Sequence, residues 1–318
     1  MKNYQERIGY GGDIEPILEN VCEDYKIGEY ASHIILTVGY EDFNLILKTS
    51  KGKYFIKMFS KLRTKRDCKR YIEILEEVSE STISTPRLFK SSRGYLFETK
   101  FDAHDFRLCV MEYIDGQSFF DAKIKPSKSE MRFLIGQAAL INSIDYKPEF
   151  FYYDDWAIVN FIKEYEKKKQ YLGPDDLRAI DPLAKSFRKL DLNDLPHCLV
   201  HGDLISTNII KSDQGGLYII DFSVSNYCPR IIELAILFCN MLFNENDPKN
   251  SDRNYAIALE EYQKIIPLEK IEVGHLPLFV KVAHAMHVIG GTYEKVVNHH
   301  PAEESDYWIN SGRKGLIE

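Results

Sequence analysis

The chain has 318 residues and a mass of 37.0 kDa, more than one simple core needs, which points to one large domain or two intimate lobes. Hydrophobic residues make up 44% and charged residues 28%, a globular balance that excludes a disordered, collagen-like or low-complexity chain. Its 48 acidic residues outnumber 41 basic ones, for a formal charge of −7, so there is no basic excess for nucleic-acid binding. An acidic chain that handled phosphates would need metal ions or a local basic residue.

Cys22, Cys68, Cys109, Cys198, Cys228 and Cys239 are scattered, without a CxxC pair, and are expected as buried free thiols in a reducing cytoplasm. The first sixteen residues, MKNYQERIGYGGDIEP, carry no apolar stretch of signal-peptide type. The most apolar run, 231–243, is too short to span a bilayer and reads as a buried helix. A cytoplasmic protein with no membrane or nucleic-acid partner is expected.

In chain order, Asp13 can cap a first helix with Pro16 in its first turn and Ile14, Ile17, Leu18, Val21 and Tyr25 at helical spacing. Strands are expected at 34–38, 43–49 and 53–59. Residues 39–42 would turn between the first two, and Gly52 between the last two. A charged helical stretch, 61–80, precedes further strands at 87–89, 95–97 and 106–113. This is a small, largely antiparallel α+β lobe. Beyond the connector 114–116 the texture is mainly helical, at 129–144, 156–172, 182–190, 229–243, 253–266 and 276–297. The domains expected are a nucleotide-binding lobe, 1–113, and a helical acceptor-binding lobe, 114–318.

One strand-rich island, 198–222, interrupts the helices, and short strands caught between helices are where chemistry concentrates. An apolar strand ends in His201-Gly202-Asp203, Asn208 lies five residues past the Asp, and a later strand delivers Asp221-Phe222. Asn208 and Asp221 offer oxygens suited to a hard cation such as Mg²⁺, and Asp203 can accept a hydroxyl proton. An Asp, an Asn and a metal-holding Asp recur in that order in kinases.

The segments HGDLISTNII and LYIIDFS resemble the aminoglycoside phosphotransferase and choline kinase superfamily, small-molecule relatives of protein kinases. The resemblance implies a protein-kinase-like bilobal fold with a small antiparallel-sheet N-lobe and a mainly helical C-lobe. It implies ATP-dependent phosphorylation of a small-molecule hydroxyl, with Mg²⁺ as cofactor. Asp203 then matches the catalytic base, Asn208 and Asp221 the metal ligands, and His201 the residue that braces the loop. Ile205 stands where many members carry a second His. Gly202 replaces the Arg of regulated protein kinases and no Ala-Pro-Glu follows Asp221, which weakens the case for a peptide substrate. A protein Ser/Thr kinase and a nucleotide-binding module without catalysis remain the alternatives.

On the nucleotide side, Lys57 shares a strand face with Phe55 and Phe59, so it either snorkels to solvent or meets an anion. The resemblance makes it the phosphate-holding lysine, with Glu73, ahead of Glu76 and Glu77, as its helix partner. No GxGxxG exists; residues 39–44 offer a sparse loop in which Asn44 matches the family's Asn. The segment 111–114, with Glu112 and Ile114, resembles the adenine-pairing hinge. Asp154, Asp155, Arg230 and Glu233 are candidates for the acceptor side. For the two aspartates an acidic helix cap is the competing role, and for Glu233 a structural one near a helix N-terminus. Arg230 could pair with Glu233 or meet an acidic substrate group. Trp308 and the 311–316 tail would pack on the helical lobe, and His299 and His300 would lie at the surface.

Overall fold

The computed structural model describes residues 4–37, 41–244, 247–299 and 302–317. Val38, then Gly39 and Tyr40 at the start of the expected phosphate loop, and His300 lie outside the described residues. The chain divides into two compact units, Met1–Gly116 with Ser212–Ile220, and Gln117–Lys211 with Asp221–Glu318.

The first unit begins with α1 (Glu15–Tyr25), which starts one residue later than an Asp13 cap would place it. Ile14 holds the cap position, while Asp13 Oδ1 accepts the Glu15 N–H at 2.9 Å. The strands β1 (Tyr30–Leu36), β2 (Phe43–Thr49) and β3 (Gly52–Met58) form an antiparallel meander, and Gly52 at φ 146° makes the last turn. α2 (Lys65–Glu80) is shorter than the charged stretch suggests because Thr64 and Asp67 cap each other reciprocally and set its start. β4 (Leu88–Phe89), β5 (Phe97–Phe101) and β6 (His104–Glu112) complete a sheet of order β1-β2-β3-β6-β4, with β5 also paired to β6. α1 buries Ile17, Leu18 and Val21 in one cluster with Leu45, Leu47, Ile56 and Leu108 of the sheet. Ser212–Ile220 joins this unit through the Ile219 N–H to Ser84 O, at 2.8 Å, and the Ser84 hydroxyl to Leu217 O, at 2.6 Å.

The second unit contains β7 (Gly116–Ser118, its first residue in the other unit), α3 (Lys128–Asn142), α4 (Phe161–Lys168), α5 (Pro174–Phe187) and β8 (His197–Val200). β9 (Ile209–Ser212, its last residue in the first unit) and β11 (Asn226–Pro229) follow, with β10 (Leu217–Ile219) between them in the first unit's Ser212–Ile220 segment, then α6 (Ile231–Leu237), α7 (Pro248–Gln263), α8 (Lys270–Val296) and α9 (Ala302–Ile317). Pro182 does not open a helix, as expected for 182–190. It sits inside α5, whose start is Gly173-Pro174 with Asp175 and Asp176 in the first turn. The run 229–243 is likewise divided: β11 ends at Pro229, and α6 passes into one π-turn over Phe238–Leu242. α9 packs along α8 with Trp308 buried, and a Cβ at Gly312 would come within 2.5 Å of the His284 carbonyl, so close approach requires glycine there. All six cysteines are buried free thiols, and among the described residues no helix is long and apolar enough to cross a membrane.

Candidate active site

β8 pairs antiparallel with β11, Val200 opposite Asn226, and the chain turns sharply as it leaves β8. Gly202 sits at φ 82°, with the Val224 carbonyl 3.4 Å from where a Cβ would be, so the residue between His201 and Asp203 is glycine for backbone reasons. His201 is fully buried against Phe222, ring centroids 4.5 Å apart, and its Nδ1 accepts the Asp203 N–H at 3.2 Å. Its own N–H donates to Glu233 Oε2 at 2.6 Å, the Gly202 N–H reaches the same oxygen at 3.4 Å, and the Ser225 hydroxyl donates to its carbonyl at 3.0 Å. The loop is therefore anchored at the N–H groups of residues 201 to 203 and at the His201 carbonyl.

Asp203 and Asn208 are joined directly. Asn208 Nδ2 donates to Asp203 Oδ2 at 2.7 Å and to the Asp203 carbonyl at 2.9 Å, across the short 3₁₀ turn Ser206–Asn208. That turn is held from outside by Asn240, whose Oδ1 accepts the Ser206 N–H at 2.8 Å, and by the Phe120 N–H to Ser206 O at 3.1 Å. Asp221 adopts φ 65°, a left-handed conformation that Asp tolerates better than most residues. Burial, with the charges of Asp154 and Asp221, pushes the Asp203 carboxyl up to about 7.

Asp154 reaches this site because Asn226 clamps its segment: Asn226 accepts the Tyr152 N–H and donates to the Tyr152 carbonyl, both at 2.8 Å. Asp154 Oδ1 takes the Trp156 N–H at 3.1 Å, and burial followed by the charge of Asp155 pushes its carboxyl up to about 6 although that bond lowers it. Asp154, Gly202 and Val224 line one cleft with Ala157 and Ile158. Asp155 is turned elsewhere, accepting from buried Lys168 at 2.7 Å, and Lys168 also pairs with buried Glu164 at 2.9 Å. Arg230 does not pair with Glu233, one of the two partners considered for it from sequence. It donates twice to Glu272, at 2.7 and 2.6 Å, and once to the Pro267 carbonyl, because α8 brings a buried Glu272 to it. Glu233 is buried beneath the loop, with its carboxyl raised to about 7 by burial against the lowering from the His201 and Gly202 N–H groups.

In the first unit, Lys57 is 4% exposed, so it does not snorkel. Its ammonium lies 3.5 Å from Asp42 Oδ2 and 4.9 Å from the Tyr71 ring centroid. Asp42 also binds the Ser60 N–H and Arg63 Nε, each at 3.0 Å; no motif singled it out, because its role comes from contacts 15 to 21 residues away. Glu73 faces solvent on α2, while Glu76 and Glu77 are half-buried. Asn44 stands directly across the β2–β3 pair from Lys57, with its Oδ1 buried and without a hydrogen-bond partner. Glu112 closes β6, its carboxylate and N–H bonded to the Arg87 N–H and carbonyl, and Ile114 is buried just beyond.

The model of the phosphotransferase enzyme family matches residues 34–268. Homoserine kinases from Methylobacterium sp. (strain 4-46) and Agrobacterium fabrum are 23% and 22% identical over 267 and 271 residues. Those alignments cover 82% and 83% of this chain and 79% and 80% of theirs. Among solved structures, the fold is similar to amicoumacin kinase hAmiN in complex with AMP-PNP, Ca²⁺ and Ami (TM-score 0.69, 17% identity, 96% of this chain and 94% of that one). It is also similar to a microcompartment-associated aminopropanol kinase (TM-score 0.67, 14% identity, 96% and 95% covered) and to choline kinase LicA from Streptococcus pneumoniae (0.61, 18%, 96% and 99%). A family match across nearly three quarters of the chain, on a protein-kinase-like fold, agrees with what the His201-to-Phe222 island implies, and the chain belongs to the phosphotransferase enzyme family as a small-molecule kinase.

Proposed function

We propose that the protein transfers the γ-phosphoryl group of ATP, with Mg²⁺, to the hydroxyl of a small amine-bearing alcohol. The observation that carries this reading is the Asp203 carboxylate, held at 2.7 Å by Asn208 in a site whose other nearby charges, Asp154 and Asp221, are also negative. Asp203 would take the acceptor's proton as its oxygen bonds to the γ-phosphorus and the bond to the departing ADP breaks. Asn208 spends its Nδ2 on Asp203, so its amide oxygen and the Asp221 carboxylate form the all-oxygen set that would hold Mg²⁺. When bound, the ion neutralises phosphate charge. Lys57 and Asn44 are assigned to the phosphates, and the backbone of 112–114 to the base. His201 and Glu233 position the loop.

Clustered carboxylates favour a cationic acceptor, and Asp154, which lines the cleft beside Gly202 and Val224, is the carboxylate assigned to its ammonium group. Relatives named for homoserine and for aminopropanol support an amino alcohol as the first class to try. The experiment is ADP release against homoserine, ethanolamine, aminopropanol, choline and aminoglycosides, each beside a matched alcohol lacking the amine. Turnover confined to amine-bearing alcohols is expected; equal turnover of the amine-free partners would remove the proposed specificity, and phosphate appearing only on protein would favour the protein-kinase alternative.

A further inference from the structure

Away from the Asp203 site, the π-turn Phe238–Leu242 and the helix α8 bring together three side chains with no part in the proposed chemistry. Cys239 Sγ lies 3.2 Å from His284 Nδ1 and 3.6 Å from His287 Nδ1, and the three ligand atoms fall within 4.8 Å of one another. Cys239 and His284 are buried, and His287 is partly buried. We propose that Cys239, His284 and His287 form a binding site for a borderline-soft transition-metal ion of the Zn²⁺ class.

The two sulfur–nitrogen spacings are close to those of a coordination shell. A tetrahedral Zn²⁺ with bonds of about 2.3 Å to sulfur and about 2.05 Å to nitrogen separates S from N by about 3.6 Å. His284 and His287, at i and i+3 of one helix, present the same face to the sulfur. A π-turn is an uncommon irregularity that recurs at functional sites, and here it carries the cysteine. Aromatic rings wall the imidazoles: Phe243 meets His284 edge-on at 4.9 Å and Trp308 tilts against His287 at 4.8 Å. Burial, the largest cause for both rings, lowers His284 to about 3 and His287 to about 4. The thiol is pushed up by burial, so binding forms the S–metal bond and releases the thiol proton to solvent. One thiolate and two imidazoles do not suit Mg²⁺, which separates this site chemically from the all-oxygen set at Asn208 and Asp221. The two are neighbours through the backbone: Asn240, next to Cys239, holds the Ser206 N–H of the Asp203–Asn208 loop at 2.8 Å.

The test uses the full-length reduced protein titrated with Co²⁺ and then Zn²⁺. One equivalent of Co²⁺ is expected to give a thiolate-to-cobalt charge-transfer band with visible d–d absorption, displaced by Zn²⁺ and not by a large excess of Mg²⁺. Cys239→Ala should abolish the charge-transfer band. His287→Gln, at the least buried of the three positions, should weaken Co²⁺ binding at least about tenfold while keeping the wild-type circular dichroism spectrum. A wild-type protein without the charge-transfer band, or a band unchanged in Cys239→Ala, overturns the proposal and leaves the short Sγ···Nδ1 contacts as thiol–imidazole hydrogen bonds.

Discussion

Asp203 is the residue on which the proposed chemistry turns, and its surroundings give it two distinct neighbours to test. Asn208 fixes its orientation, so Asp203→Asn keeps the side chain's shape and an oxygen for Asn208 while removing the proton acceptor. The expected result is kcat lower by about 10²–10⁴-fold with nucleotide affinity unchanged, measured by steady-state turnover and by direct nucleotide titration. Retained turnover would remove Asp203 from the role of base. Asp154 is close enough for its charge to raise the Asp203 carboxyl, yet its own carboxylate accepts from a backbone N–H. Asp154→Asn keeps that turn and deletes only the charge. If it meets the acceptor's ammonium, KM for an amine-bearing alcohol rises about tenfold, the effect of losing roughly 1.4 kcal/mol, and KM for ATP stays constant. Equal changes in both KM values would mean that Asp154 serves the loop and not the acceptor.

At the scale of elements, the Asp203 loop is less a free connection than a segment bolted to α6 and the π-turn. Glu233, in the first turn of α6, accepts two loop N–H groups with Oε2, while its Oε1 is buried without a partner. Truncation to Ala would orphan those buried donors and cost about 1–3 kcal/mol in chemical denaturation, whereas Gln keeps an acceptor and should lose much less. The pH dependence follows from the carboxyl's rise to about 7 from an ordinary 4.5. Between those values the folded state binds more protons than the unfolded one, so this group's contribution is complete below about 4.5 and is lost as pH rises toward 7. Glu233→Gln should flatten that part of the stability–pH curve; an unchanged slope would show that Glu233 does not titrate there. The same scale separates what could be read from sequence. β2 falls at its expected limits because alternation and a glycine turn are local signals. The His201–Phe222 island was legible because its chemistry is packed into some twenty residues. The start of α5 was not, since Pro182 mimics a helix opening that Gly173-Pro174 provides. Asp42, Asn240 and the Arg230–Glu272 pair were invisible for a different reason: each acquires its partner from a distant element, and spacing carries no record of that.

Across the whole molecule, the opposition between a −7 chain and a triphosphate substrate has a thermodynamic consequence. In the proposed site, two carboxylates and an amide would receive ATP's charge only with a cation between them, and buried Lys57 already shares its ammonium with Asp42. Nucleotide without divalent metal would therefore meet net repulsion at Asp203 and Asp221, while Mg²⁺-ATP would meet a neutralised site. Binding to the folded state alone stabilises it by about 2.7 kcal/mol at a ligand concentration one hundred times Kd. For a chain of this size that corresponds to a rise in Tm of several degrees. The expected pattern in thermal melts is a clear increase with ATP and Mg²⁺ together and a much smaller one with ATP in EDTA. The increase should survive in Asp203→Asn and collapse in Asp221→Ala. A shift of equal size in EDTA would mean that nucleotide is held by the basic residues alone. No shift under either condition would remove the nucleotide from the proposal altogether, whatever the acceptor.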